Sequence, residues 1–509
     1  MAVQTPTSLR ERLNLDVRVS TSVEEIKVND KKVVAKNLAT GETYEETYDE
    51  LILTVGAAPL KPPIPGIDRP GLFALRNLQD MDDIVDWISK KSKDVKPTEM
   101  HAVVAGAGFV GLEMVEQLMN LKMKVTLVEM MKQILGPLDE EMAALLHHDL
   151  EERGVNVIVG DGIKEFKASD TDPEASVLTL QSGKVLPPAH LTILGLGVRP
   201  DTDMVKKAGI EVGPRGHIVV DEHLHTSAPH VWAAGDSVEF KNPILPEEKW
   251  AVPLAGPANR QGRMVADNIF GKNRSYKGTY AASVVRSFDL VAACVGLNEK
   301  FLVFKNIPHS CVHVHPSSHA GYYPGASQIH LKLIFDPETG KIYGAQAVGK
   351  EGVEKRIDVI STALQGNMTV EDLAELELCY APPVGSAKDP VNIAGMAASN
   401  IVEGLVKIIE WDELEKMAHD KETLILDVRN SNEIDTTGRL AHGAVNIPLN
   451  ELRKRLNEIP KEKHVVVSCA SGQRAYYACR ILTQNGFEHV DSLDGAFATF
   501  HAVHPDAVK

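Results

Sequence analysis

At 509 residues the chain is too long for one hydrophobic core, so about three or four domains are expected. Hydrophobic residues make up 43% and charged residues 24%, the balance of an ordinary globular protein, and a formal net charge of −16 disfavours non-specific attraction to nucleic acid or an anionic membrane. No apolar run approaches the roughly 20 residues needed to cross a bilayer, and the opening MAVQTPTSLRERLNLDV lacks the apolar centre of a signal peptide, so the expected location is cytoplasmic. The 5 cysteines, at 294, 311, 379, 469 and 479, show neither a disulfide framework nor metal-type pairing, which suits reduced thiols.

In chain order, residues up to about 97 alternate short apolar and polar runs (DVRVSTSVEEIKV, KKVVAKN, ETYEETYDELILTVG), the pattern of antiparallel strands feeding one buried strand. AAPLKPPIPG supplies the proline and glycine density of a connection. From HAVVAGAGFVG at residue 101 a βαβ pattern runs to about residue 220, and HVWAAGD at 230–236 returns to strand-like chemistry. From about residue 276 come strands such as QIHLKLIFD and KIYGAQAVG, then the helical GVEKRIDVISTALQG and PVNIAGMAASNIVEGL. A compact αβ unit follows residue 405.

HAVVAGAGFVGLEMVEQLMNLKMKVTLVE carries the most specific nucleotide signal: a strand, Gly106-x-Gly108-x-x-Gly111, a helix, and a second strand ending at Glu129. Gly106 permits the tight turn, Gly108 lets the backbone approach a pyrophosphate, and Gly111 lets helix and strand pack closely, while the helix N-terminus offers free amides to the phosphates. Glu129 stands where a carboxylate accepts from adenosine ribose hydroxyls and repels a 2′-phosphate, so NAD(H) is favoured over NADP(H). The strand HVWAAGD ends in Gly235-Asp236, a small residue and an acceptor at a sheet edge of the kind where ligands bind in open α/β sheets.

With GAGFVGLE, LTILGLGVRPDT and TSAPHVWAAGD the chain resembles the two-dinucleotide-domain flavoprotein disulfide reductases. The resemblance implies FAD beside NAD(H), with Asp236 on the ribityl chain, Thr54, Val55 and Gly56 beside the flavin nucleotide, and Ala255 to Arg260, including Ala258, at a helix N-terminus facing the ring. Glu113 and Gly197 would border the nicotinamide. HAGYYPGA and YAPPVGSAKDPVNIAGM resemble the dimerisation domain of coenzyme A-disulfide reductases and related NADH-dependent persulfide or polysulfide reductases, which implies a homodimer. In it Tyr322 and Tyr323 would face a partner's redox cysteine and Lys388 would meet a substrate phosphate or carboxylate, with coenzyme A a possible ligand. Coenzyme A-disulfide reductases commonly carry a second tyrosine after APP where this chain has Val384, which puts strict preference for coenzyme A disulfide in doubt. Members of the family begin with a strand and a Gly-rich turn that hold FAD, followed by a redox cysteine; neither is found here, and the opening MAVQTPTSLRERLNLDV resembles a point already past that cysteine, so the FAD-binding part reads as N-terminally incomplete.

The last hundred residues resemble a rhodanese-like sulfurtransferase domain through TLILDVRNSNEI, GRLAHGAVNIPL, VVVSCASGQRAYYACRILTQNGF and VDSLDGAFATF. A buried strand delivers Cys469, a short loop curls its amides toward the sulfur, and the following helix and Arg474 add positive charge, all of which stabilise a thiolate able to carry sulfane sulfur. Cys479 reads as core, Asp427 and Arg429 as a structural pair, and Glu433 as an orienting group. Phosphatases of similar fold place five residues between cysteine and arginine; Cys469 to Arg474 leaves four, which favours sulfur transfer over phosphate-ester hydrolysis.

The expected architecture is α/β. It comprises a FAD-binding domain (residues 1–97 and 222–275), an NAD-binding domain (98–221), an α+β dimerisation domain (276–404) and a rhodanese-like domain (405–509). The expected activity is FAD- and NAD(P)H-dependent reduction of coenzyme A disulfide, persulfide or polysulfide coupled to sulfur transfer, with no metal. NADH oxidase is a second reading, and a sulfur carrier and dimer scaffold without reductase turnover is a third.

Overall fold

The computed structural model of the chain describes residues 4–440 and 443–505 and divides into two compact units, residues 1–60 with 198–279, and residues 61–197 with 280–509. No helix among the described residues is long and apolar enough to cross a membrane.

The first unit holds a three-stranded antiparallel sheet (Thr21–Lys27, Lys32–Asn37, Thr43–Thr47) built from runs of alternating character, its first strand shifted in register between Val23 and Glu25. The short strand Leu51–Leu53, expected to be buried throughout, buries only Leu53 and leaves Ile52 exposed; it pairs in parallel with Val231–Ala233, so the chain leaves both strands at the same edge. The helix Ala255–Ile269 turns Val265 into the apolar cluster with Leu224, Trp232 and Ala234.

In the second unit a five-stranded parallel sheet runs in the order Leu72–Phe73, Leu191–Leu194, His101–Ala105, Lys124–Val128, Asn156–Ile158. Its central strands are apolar almost throughout, as expected for a sheet covered on both faces. An antiparallel five-stranded sheet follows (Ser283–Ser287, Leu290–Gly296, Ile342–Gly349, Ile329–Phe335, Ser310–Val314), and then a second parallel sheet ordered Lys407–Ile409, Val490–Leu493, His464–Ser468, Thr423–Asp427, Val445–Asn446.

The boundaries of the first unit differ from those expected near residues 97 and 222. Leu72–Phe73 is an edge strand of the nucleotide sheet, the helix Leu78–Lys91 buries Ile84 in that sheet's core, and the Trp87 indole N–H donates to the His190 carbonyl at 2.8 Å. On the other side, Val198–Pro200 pairs with Ala57–Pro59 inside the first unit. The break therefore falls at the proline-rich AAPLKPPIPG connection itself, where prolines withhold the amide donors a continuing sheet would need.

Candidate functional site

The glycine loop of the second unit is built by close backbone approach. Gly106 has φ +97° and a Cβ there would strike the Gly195 carbonyl, while a Cβ on Gly111 would strike the Gly106 carbonyl; neither position accepts a side chain. Around Gly108, the N-cap of the helix Phe109–Asn120, a Cβ would meet nothing within 4 Å, and no side chain caps the helix amides. That open cradle with uncapped donors fits a pyrophosphate. The Glu129 carboxylate lies at the loop, accepting from Ala107 N–H and Met131 N–H, each at 2.8 Å. It thus braces the glycine turn. Gly197 (φ +94°) follows the neighbouring strand Leu191–Leu194 with open space at its Cα, and Glu113 is exposed on the glycine-loop helix.

Within the first unit, Thr54, Val55 and Gly56 (φ +67°) leave the carboxyl end of Leu51–Leu53, and Gly235 (φ +87°) and Asp236 leave that of the parallel partner Val231–Ala233. Gly235 N–H donates to Gln261 Oε1 at 2.7 Å, and a Cβ on Gly235 would come within 3.9 Å of Ala258 Cβ, which brings Ala255 and Ala258 to the same edge. Small residues, left-handed glycines and an uncapped helix N-terminus converging at the carboxyl ends of parallel strands fit a dinucleotide.

In the antiparallel domain the two tyrosine-bearing motifs meet: Ala320 N–H donates to the carbonyls of Gly385 at 3.0 Å and Pro382 at 3.3 Å. Tyr322 is 79% exposed and Tyr323 44%, with Val384 beside them at 60%. A hydrogen bond with Tyr380 raises the Tyr322 phenol pKa above its ordinary value. Asp389 caps the helix Pro390–Val402 and is held by the buried Arg356 at 3.0 Å, leaving the adjoining Lys388 exposed.

The buried strand His464–Ser468 delivers Cys469, which is 1% exposed, to a loop closed by Gly472 (φ +101°). Gly472 N–H donates to Cys469 Sγ at 3.2 Å. The loop carbonyls are turned the other way: Phe497 N–H donates to Cys469 O and Ala498 N–H to Ala470 O, each at 3.0 Å, both from the helix Ala496–Val503. Arg474, in the first turn of the helix Gln473–Gln484, makes a two-pronged pair with Glu433, both bonds at 2.7 Å. That pair raises the Arg474 pKa and holds the Glu433 carboxyl down at about 2. The full positive charge expected beside the sulfur is thus shared with a carboxylate. Cys479 is buried, and burial pushes its thiol well up. Asp427 and Arg429 form a buried pair at 2.7 Å.

A cavity of about 350 Å³ opens beside the loop. Ser471, Gly472, Gln473, Tyr476 and Tyr477 wall one side, Lys388, Met396 and Asn400 the other, and Tyr476 Oη donates to Asn400 Oδ1 at 3.2 Å. The structure thus brings Lys388 and the Cys469 loop to one chamber, whose walls do not include Tyr322 or Tyr323. Sequence reasoning missed the polar groups closing that chamber, His313, His315 and Asp494, and the carboxylates of Asp139, Glu141 and Glu299 that converge on the fully buried Lys332. His313 and His315 come from one strand end, Asp139 and Glu141 from one helix start, and Glu299, Lys332 and Asp494 from three further places in the chain, so no single motif joins them.

Three domain families match the chain in series: pyridine nucleotide-disulphide oxidoreductase over residues 3–262, the dimerisation domain of that family over 283–390, and the rhodanese-like domain over 410–502. The chain belongs to the pyridine nucleotide-disulphide oxidoreductases and carries a C-terminal rhodanese-like domain. It is similar to the reduced CoADR-RHD of Bacillus anthracis (45% identity, TM-score 0.94, 99% of this chain and 88% of that one). It is similar also to the NAD-dependent persulfide reductase of A. fulgidus (36% identity, TM-score 0.89, 98% and 88%). The coenzyme A disulfide reductase of Staphylococcus epidermidis is 33% identical over 387 residues, 75% of this chain and 83% of the relative.

Proposed function

We propose that this chain is an FAD- and NADH-dependent reductase of small disulfides or persulfides whose C-terminal domain carries sulfane sulfur on Cys469. The observation that carries the reading is the Cys469 loop, a buried thiol accepting a loop amide at a helix N-terminus, in a chain whose glycine loops fit dinucleotides. When bound, the flavin and nicotinamide supply the two-electron chemistry. The chain's own part is to hold them: Gly106, Gly108 and Gly111 cradle the nicotinamide dinucleotide, Glu129 takes its ribose hydroxyls, and Glu113 and Gly197 border its reactive end. Thr54 to Gly56, Gly235, Asp236, Ala255 and Ala258 hold FAD. The net reductase reaction is RSSH + NADH + H⁺ giving RSH, H₂S and NAD⁺, or two thiols from a disulfide. On the other domain the Cys469 thiolate attacks the outer sulfur of a donor, forming a Cys–S–S⁻ persulfide and expelling the donor's remainder, sulfite if the donor is thiosulfate. Arg474 orients anionic donors, and Lys388 meets a phosphate or carboxylate of the substrate at the cavity wall, a site coenzyme A would suit. The exposed Tyr322, Tyr323 and Val384 on the dimerisation domain support a homodimer in which the tyrosines face the partner's reductase site.

The test is anaerobic NADH oxidation by the purified chain, reconstituted with FAD, against coenzyme A disulfide, coenzyme A persulfide and polysulfide. Turnover with one of these acceptors, above the rate with oxygen, is expected. NADH consumption only in the presence of oxygen would overturn the reductase reading in favour of an oxidase; no consumption at all, with sulfur still loading onto Cys469, would reduce the chain to a sulfur carrier.

A further inference from the structure

One short stretch of the rhodanese-like domain, from Asp494 to Ala502, receives bonds from three histidines that lie outside that domain. His313, on the strand Ser310–Val314, donates its main-chain N–H to Asp494 Oδ1 at 3.0 Å and sets its ring Nδ1 2.5 Å from Asp494 Oδ2. His315, two residues on, places Nε2 3.0 Å from Thr499 Oγ1, and His148, on the helix Glu140–Glu152, donates from Nε2 to the Ala502 carbonyl at 2.8 Å. The same stretch supplies the Phe497 and Ala498 amides that hold the Cys469 and Ala470 carbonyls. Gly495 (φ +62°) sits at the close approach, where a Cβ would strike Thr499 Oγ1 in its own helix and meet His313 Cβ at 2.8 Å.

Resting on the reading of Cys469 as the sulfur carrier, we propose that His313, with His148 and His315, forms a docking clasp that positions the Cys469 loop through Asp494 and the helix Ala496–Val503. The chain of contact is continuous: imidazole to carboxylate, carboxylate to helix start, helix amides to loop carbonyls. The clasp is ionic as well as steric. His313's second ring nitrogen lies 3.0 Å from Glu141 Oε1, so both ring nitrogens face carboxylates, and an ionised carboxylate only accepts; the ring is held as the doubly donating cation. All three groups are buried, as is Lys332, which lies 2.6 Å from Glu141. Removing one partner from such an assembly strands an uncompensated charge, so the clasp is closed or broken and not gradually loosened.

The groups facing His313 are Asp494 from the rhodanese-like domain, Glu141 from the helix beneath and, around them, Lys332, Asp139, Glu299, His315, His330 and Glu410, whose carboxyl is pushed up to about 8 by burial and by Glu299 and so titrates in the lower part of the same range. Burial lowers the His313 pKa, but Asp494 and Glu141 outweigh it and raise it to about 10. A histidine raised in the folded state contributes fully below its ordinary value of about 6.5, and the contribution is lost as pH climbs toward the folded value.

The test uses the full chain with His313→Gln, Gly495→Ala, Asp494→Asn and the double variant His313→Gln/Asp494→Asn, compared by amide exchange protection and by sulfur transfer from thiosulfate. Protection of residues 469–472 and 494–503 is expected to fall about tenfold or more in each single variant, with kcat for transfer lowered about tenfold and KM little changed. The double variant is expected to lose less than the two singles combined. In the unaltered chain the protection of these segments, corrected for intrinsic exchange, declines between about pH 7 and pH 10; in His313→Gln the decline above about pH 8, beyond the range of Glu410, is absent. Asp494→Asn, which keeps the shape of the contact and removes one charge, keeps the proposal testable if His313→Gln does not fold; Gly495→Ala also strains its own helix against Thr499 and serves only as a comparison. Unchanged protection over 469–472 in the folded variants, or a pH profile in His313→Gln equal to that of the unaltered chain, overturns the clasp. A chain in which no sulfur loads onto Cys469 instead overturns the carrier reading, and the exchange data still judge the clasp.

Discussion

Arg474 Nη1 and Nη2 each lie 2.7 Å from a carboxylate oxygen of Glu433, so the cation nearest the Cys469 loop is already half spent on an anion. Arg474→Ala is therefore expected to weaken anionic sulfur donors by only about two- to fivefold, the range of a partly exposed ion pair, and neutral donors less. Glu433→Gln is expected to act in the opposite direction, freeing the guanidinium and lowering KM for thiosulfate. Steady-state kinetics with one anionic and one neutral donor separates the two. The Glu433 carboxyl is held down at about 2, so the pair contributes above the ordinary carboxyl value of about 4.3 and is lost as pH falls toward 2. Protonating Glu433 frees Arg474 as Glu433→Gln does, so the preference for anionic donors is expected to be steady at neutral pH and to strengthen as pH falls toward 2.

Cys469 and Cys479 stand on one strand–helix unit in different settings. Cys469 Sγ accepts the Gly472 amide at the loop, whereas Cys479 is buried inside the helix with its thiol pushed up by burial. Exposure of the chain to a sulfane donor is expected to leave a one-sulfur adduct on the Cys469 peptide. Cys469→Ser abolishes it, since a hydroxyl forms no persulfide, and Cys479→Ser leaves most of it. Mass spectrometry of digested protein reads the outcome directly; an adduct chiefly on Cys479 contradicts it.

Glu129 accepts from the Ala107 and Met131 amides, and on the proposed function it takes the ribose hydroxyls as well. Glu129→Ala is expected to weaken NADH binding about tenfold or more, because hydrogen bonds to a charged group and the brace of the turn disappear together, and to weaken NADPH binding less. Titration of both nucleotides should show a preference for NADH that narrows in the variant. Tighter binding of NADPH by the unaltered chain would contradict the role given to this residue.

Asp427 and Arg429 form a buried pair in the rhodanese-like domain, with the Arg429 guanidinium 4.1 Å from the centre of the ring of Phe497, whose amide donates to the Cys469 carbonyl. Asp427→Ala leaves a buried guanidinium uncompensated and is expected to destabilise the rhodanese-like domain by about 3–5 kcal/mol, measured by denaturant unfolding followed at that domain. Sulfur loading at low temperature should survive in the folded fraction, since neither residue bonds to the cysteine.

Local backbone demands were legible in the sequence. Gly106, Gly108 and Gly111 announce themselves because a side chain at the first or third would collide with backbone and at the second would fill the cradle, and those requirements span only a few residues. The Cys469 loop was legible for the same reason: strand, four-residue turn and helix follow one another along the chain. Tertiary structure alone decided the rest. The pairing of Arg474 with Glu433 changes the charge at the sulfur, yet the partners lie on separate helices. The first unit ends at Leu60 because Leu72–Phe73 finds its partner strand more than a hundred residues later. The clasp draws His148, His313 and Asp494 from three elements whose ring nitrogens and carboxylates acquire their protonation and direction only when buried against one another. Steric rules between neighbours along the chain leave a pattern in the sequence; electrostatic complementarity across a buried interface depends on distances that no spacing encodes.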